Sequence, residues 1–152
     1  MQLNVFFTEG NNDINIYSDA ITTAGSVMVK NKAIVSDYIN ACIDRETDFP
    51  TGLLLASGKG VAMPHGNSNF VKENSISIVR LKKAVQFGRM EDKSQKVDCS
   101  LIFNLALTSG DNHIKILKTL VLLFQDTDFI KKCETLSAEQ LTSYVKSLVA
   151  KE

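Results

Sequence analysis

Proline and histidine are scarce in this sequence, with two of each in 152 residues. Both prolines, Pro50 and Pro64, and one histidine, His65, fall within a single stretch, 45–66. Cysteine is nearly as sparse. Cys42, Cys99 and Cys133 are an odd number without a CxxC pair, which excludes a disulfide framework and fits a reducing compartment. Neither sign of charge is in excess, at 17 basic and 17 acidic residues, so no general attraction to nucleic acid or an anionic membrane is expected. No apolar run reaches the roughly 18 residues of a membrane helix. Met1-Gln2-Leu3-Asn4 lacks the basic start and apolar run of a signal peptide. Repeats, low-complexity segments and linkers are missing too. These absences predict a cytoplasmic, soluble single domain over 1–152, long enough to bury a core without metals or disulfides.

Hydrophobic spacing supplies the elements. Val5-Phe6-Phe7 reads as a short strand. Ser18 is the expected N-cap of a first helix carrying Ala20, Ile21, Ala24, Val27 and Met28 inward, with Asn31 closing it in the left-handed conformation. A second helix over 35–48 has the stripe Val35, Tyr38, Ile39, Cys42 and Ile43, with Arg45 at its edge. Pro50 disfavours helical geometry at Phe49 and ends it. Residues 52–63 read as strand, turn and strand. Two further strands are expected at 75–81 and 84–87, and a buried central one at 97–107. A helix from Asn112 should turn Ile114, Leu117, Leu120, Val121 and Phe124 inward. Helices over 128–133 and 138–149 finish the chain, the last opened by a Ser137/Gln140 capping box.

Most histidines are structural or simply exposed, but His65 stands apart. It follows a strand end, in a loop, where binding residues concentrate. Pro64 restricts the backbone before it, Gly66 removes a side chain after it, and the N–H groups of Gly66, Asn67 and Ser68 can form an anion-binding nest. A neutral imidazole, with an unperturbed pKa near ~6.5, offers a nitrogen lone pair at neutral pH and can take and pass on a phosphoryl group. Positioning and charge stabilisation carry most of the catalysis in such transfers. Arg45 can supply the charge through its planar fork, or can be a solvated helix-end cation paired with Glu46. His113, in the first turn of its helix, can face His65 and bind phosphate, or can lack a partner. Thr51 is a strand-start residue or a hydroxyl donor to the same site. Any of Leu53, Leu54, Leu55 and Met63 that surfaces nearby would give a docking protein an apolar rim.

Taken together, Arg45-Glu46-x-x-x-Pro50-Thr51-Gly52, Gly58-x-Gly60-Val61-Ala62-Met63-Pro64-His65-Gly66 and His113-Ile114-x-x-Leu117-x-x-Leu120 resemble the enzyme IIA component of the bacterial sugar phosphotransferase system (PTS). The match is to the fructose/mannitol class. The run Asp48-Phe49-Pro50-Thr51-Gly52-Leu53 and the continuous Leu53-Leu54-Leu55 look most like galactitol-type proteins. The resemblance implies an α/β fold with a mixed central β-sheet flanked by helices on both sides. It implies that phosphorylated HPr donates to His65, which passes the group to a cysteine of a cognate IIB component, serving the membrane component IIC indirectly. Arg45 and His113 match supporting positions. No metal and no cofactor is implied, and the cysteines do not match the IIB phosphocysteine loop.

An alternative is a regulatory relative, in which the phosphorylation state of His65 controls binding to a target protein. A metal site built from His65, His113 and a cysteine has no ligand spacing in its favour. The choice of sugar belongs to the membrane component and is not written here.

Overall fold

Among the described residues, 2–150 of a computed structural model, the elements run β1 (Asn4–Glu9), α1 (Tyr17–Lys30), α2 (Asp37–Asp48), β2 (Gly52–Leu54), β3 (Gly60–Ala62), β4 (Ser75–Gly88), β5 (Lys96–Ala106), α3 (Asp111–Phe124), α4 (Thr127–Thr135) and α5 (Ala138–Val149). The strands form one sheet in the order β1-β4-β5-β3-β2. It is mixed: β4 and β5 are antiparallel, β1 runs parallel to β4, β3 parallel to β5, and β2 antiparallel to β3.

The apolar run at 97–107 becomes β5, and residues 101–106 are buried on both faces. Leu101, Phe103 and Leu105 point to the layer containing Ile116, Leu120, Phe124, Phe129 and Leu141 of α3, α4 and α5. Ile102 and Ala106 point to the opposite layer, with Ala24 and Met28 of α1 and Tyr38 and Cys42 of α2. This period-2 alternation is why helices cover both sides of the sheet. Phe103, Phe124 and Phe129 anchor the first layer, with the Phe103 and Phe124 rings edge-on at 5.0 Å. None of the helices described is long and apolar enough to cross a membrane.

Four local expectations are corrected. Ser18 lies inside α1 rather than capping it; the cap is Ile16, two residues earlier, where the Asp19 carboxylate accepts from the N–H groups of Asn15 and Ile16 at 3.0 and 3.2 Å. The left-handed residue after α1 is Lys32, with φ 60°, and not Asn31. Lys32 N–H bonds Val29 O and Ala33 N–H bonds Met28 O, a Schellman closure shifted by one residue. The two strands expected at 75–81 and 84–87 are one strand, β4, with a register shift against β5 between Arg80 and Val85 that breaks the apolar alternation. On α3, Ile116 is buried and Ile114 is 57% exposed, the reverse of the expected inward face at that end. The capping box forms as expected, with Gln140 N–H donating to Ser137 Oγ and Ser137 N–H to Gln140 Oε1.

Candidate functional site

The β2–β3 ladder ends at the Gly52–Ala62 pair, and the chain then turns outward through Met63, Pro64, His65 and Gly66. Each neighbour of His65 is tied to the body. Met63 N–H donates to Thr51 Oγ1 at 3.1 Å. Pro64 O accepts from Leu105 N–H at 2.9 Å and Asn104 Nδ2 at 3.1 Å, both on β5. Gly66 N–H donates to the Tyr38 hydroxyl at 3.0 Å, and that hydroxyl donates to Leu105 O at 2.5 Å. A Cβ on Gly66 would stand 3.3 Å from the backbone of Ala41 and Cys42, so glycine lets the loop lie against α2. The expected clearing of space for an incoming group is not its visible role. With Gly66 N–H engaged by Tyr38, the expected nest also loses one donor.

His65 itself is half-buried. Its Nδ1 lies 2.8 Å from Met63 O. A carbonyl can only accept, so Nδ1 carries the proton and Nε2 the lone pair. Burial is the main cause holding the imidazole below its ordinary pKa; the Met63 bond opposes this, while Arg45 and His113 add to it. The ring is therefore neutral at pH 7.

His65 opens on a cleft of about 890 Å³ lined also by Arg45, Phe49, Thr51, Met90 and Leu122. The His113 ring stands edge-on to His65, with centroids 6.1 Å apart. Arg45 shares the cleft; its guanidinium reaches Phe49 O at 3.4 Å and lies 5.5 Å from the Phe49 ring centre. The Arg45–Glu46 pair considered from sequence does not form among the described residues: Glu46 turns to Thr51. Thr51 is buried, and its hydroxyl donates to Glu46 Oε1 at 2.9 Å while accepting from Met63. The proton expected to reach a phosphate goes to Glu46 instead. Of the residues proposed for an apolar rim, Met63 is buried at the cleft floor and Leu54 is exposed away from the cleft. The rim is made by Phe49, Met90 and Leu122.

Glu46, Tyr38 and Asn104 were not singled out by the sequence reading as site residues. Tyr38 and Glu46 sit at helical spacing on the Arg45 helix, a signal that was available; Asn104 carried none. All three cysteines are buried, and burial pushes the Cys42 thiol up to about 11, so none offers a thiolate. Among the described residues, no group of three or more His, Cys, Asp or Glu is arranged to hold a metal.

The fold is that of a mannitol-type enzyme IIA. The chain superposes on the Escherichia coli mannitol enzyme IIA, solved in complex with phosphorylated mannitol enzyme IIB, with a TM-score of 0.67 at 23% identity, covering 97% of this chain and 94% of that one. Residues 2–147 match the family described as phosphoenolpyruvate-dependent sugar phosphotransferase system, EIIA 2, and the chain belongs to that family of phosphotransferase components. Its relatives include the galactitol-specific EIIA component of Escherichia coli K12, 28% identical over 132 residues and 87% of each chain. The mannitol-specific enzyme IIA component of Bacillus subtilis 168 is 25% identical over 133 residues, 86% of this chain and 85% of the relative.

Proposed function

We propose that the chain, acting in the cytoplasm as one EIIA domain over 1–152, takes a phosphoryl group from phosphorylated HPr onto His65 Nε2. It then passes the group to a cysteine of a cognate IIB component during hexitol uptake. The observation that carries this reading is the Nδ1–Met63 carbonyl bond, which leaves the Nε2 lone pair directed away from the backbone in a neutral ring. In the first step that lone pair forms a bond to phosphorus as the bond from phosphorus to the HPr donor atom breaks, and the leaving electron pair stays with HPr. In the second, a IIB thiolate attacks phosphorus and the Nε2–P bond breaks, returning the lone pair to His65. Nδ1 keeps its proton throughout, and Met63 O supports the positive charge that the modified ring spreads over both nitrogens. Arg45 and His113 stabilise the phosphoryl oxygens. Thr51 contributes through the loop rather than by touching phosphate. The galactitol and mannitol names of the relatives support a hexitol route, and the solved complex supports IIB as the acceptor.

The test is intact mass after mixing the chain with phosphoenolpyruvate, enzyme I and HPr, with a His65→Ala protein alongside. One acid-labile phosphoryl group on the wild type alone is expected. Equal labelling of both proteins, or labelling of neither beside a working control acceptor, refutes the proposal.

A further inference from the structure

Beneath the histidine loop lies a buried carboxylate to which the transfer gives no part. Glu46, on α2, is 5% exposed. Its Oε2 accepts from the Thr51 backbone N–H at 2.6 Å and its Oε1 from the Thr51 hydroxyl at 2.9 Å. The same hydroxyl accepts from Met63 N–H at 3.1 Å, and Met63 O accepts from His65 Nδ1 at 2.8 Å. We propose that Glu46 is a positioning residue for His65, acting through the Thr51 hydroxyl and the Met63 backbone to hold the imidazole in the tautomer that leaves Nε2 free.

The direction of this chain of bonds is set from the carboxylate end. An ionised carboxylate only accepts, so the Thr51 hydroxyl must donate to it and keeps its lone pairs for Met63. The β2–β3 ladder stops one residue short, at Gly52–Ala62, so the Thr51 side chain takes the place of the next rung. A donor placed where Glu46 Oε1 sits would take the hydroxyl's second lone pair, beside the one that Met63 N–H occupies. It would also leave the hydroxyl proton without a partner in a buried site. Met63, and with it the acceptor for Nδ1, then loses its fixed orientation.

The same geometry is sensitive to pH. Burial pushes the Glu46 carboxyl up to about 7, against the two Thr51 bonds and Arg45, which lower it. Facing it are Arg45 and Cys42 of α2 and Cys99 of β5. Tyr17 of α1, together with Lys93 and Lys96 before and at the start of β5, lines an adjoining cleft of about 510 Å³. Both thiols are held neutral by burial, so Arg45 and the two lysines are the charges in play. When Glu46 takes a proton it becomes a donor, and the bond to Thr51 reverses. The hold on His65 therefore weakens as pH falls through about 7, above the pH at which His65 itself is protonated.

The proposal depends on the phosphocarrier reading only for its kinetic consequence, because the tautomer belongs to the free protein. The test is the ¹⁵N spectrum of the His65 ring at pH 8 in the wild type, Glu46→Gln, Thr51→Val and Thr51→Ser, each checked for folding by circular dichroism. Wild type and Thr51→Ser should show the Nδ1–H tautomer; Glu46→Gln and Thr51→Val should show a mixture. Phosphoryl uptake from phosphorylated HPr should slow about 10-fold to 100-fold in those two, with KM for HPr unchanged. The upper inflection in the wild-type pH profile should be absent from Glu46→Gln. If Glu46→Gln does not fold, Thr51→Val reads the same link with a side chain of the same shape. A folded Glu46→Gln or Thr51→Val with wild-type tautomer and rate overturns the proposal. A tautomer that changes in Glu46→Gln, while the wild type itself takes no phosphoryl group, supports the proposal and overturns the phosphocarrier reading instead.

Discussion

A half-buried neutral imidazole is a nucleophile only while its second nitrogen stays unprotonated, and here the surroundings work to keep it so. His65 is held below its ordinary pKa by burial first, then by the charges of Arg45 and His113. The unfolded chain therefore binds a proton at this ring at higher pH than the folded chain does. The stability this ring contributes is present above about 6.5 and is lost as pH falls through the folded pKa. Phosphoryl uptake should weaken over the same acid range. Arg45→Gln removes one of the charges that lower the pKa, so the His65 titration followed by NMR should move up toward the ordinary value. If Arg45 stabilises the transferring group as proposed, the same substitution should slow uptake from phosphorylated HPr by about 10²-fold. A slowed transfer with an unmoved titration would mean that Arg45 touches only the phosphoryl group and not the resting imidazole.

At the scale of elements, α2 is the part on which the site depends. Tyr38, Cys42, Arg45 and Glu46 lie along one side of it; Tyr38 holds Gly66 directly, and Glu46 holds Thr51, whose hydroxyl holds Met63 on the other side of His65. The apolar stripe at 35–48 made this helix legible in the sequence, and the Pro-His-Gly turn made the loop legible. What ties them together was not, because those bonds join residues far apart in the chain: Tyr38 to Leu105, Tyr38 to Gly66, Asn104 to Pro64. Spacing shows which face of a helix is inward, but not which polar atom on that face meets a distant carbonyl. The misplaced end of α3 has a similar cause. Ile114 and Ile116 are both apolar, and the choice between them is made by how the helix sits on Phe103, beyond any local pattern. The Tyr38 hydroxyl is the place to test this seam. Tyr38→Phe leaves Gly66 N–H and Leu105 O without their partner in or near the core. It should cost about 1–3 kcal/mol in urea unfolding, with the slope of the transition unchanged. A variant as stable as the wild type would show that water or a loop shift replaces both bonds.

For the molecule as a whole, the balance of 17 basic and 17 acidic residues leaves no dominant field to steer a partner, so recognition has to come from local chemistry. The surface near His65 is distinctive in that respect. Phe49 is 65% exposed, Met90 43% and Leu122 69%, and they arrive from the α2–β2 connection, the β4–β5 connection and α3 to border one cleft. Neither Met90 nor Leu122 stands out in the sequence; only the fold brings the three together around the histidine. Large apolar side chains grouped at the mouth of a reactive site suit docking of another protein, with Arg45, Lys93 and Lys118 against Asp48 and Glu91 as a mixed polar margin. Leu122 separates docking from chemistry, because it lies at the rim and its exposed side chain supports little of the core. Leu122→Asp should raise KM for HPr by about 10-fold, the loss of one well-placed contact, while the rate at saturating HPr stays within about twofold of wild type. Thermal unfolding should be unchanged, since substitutions at exposed positions rarely exceed about 0.5 kcal/mol. An unaltered KM would place the HPr contact elsewhere on the surface and leave the rim to IIB, which the same substitution tests through the second transfer step.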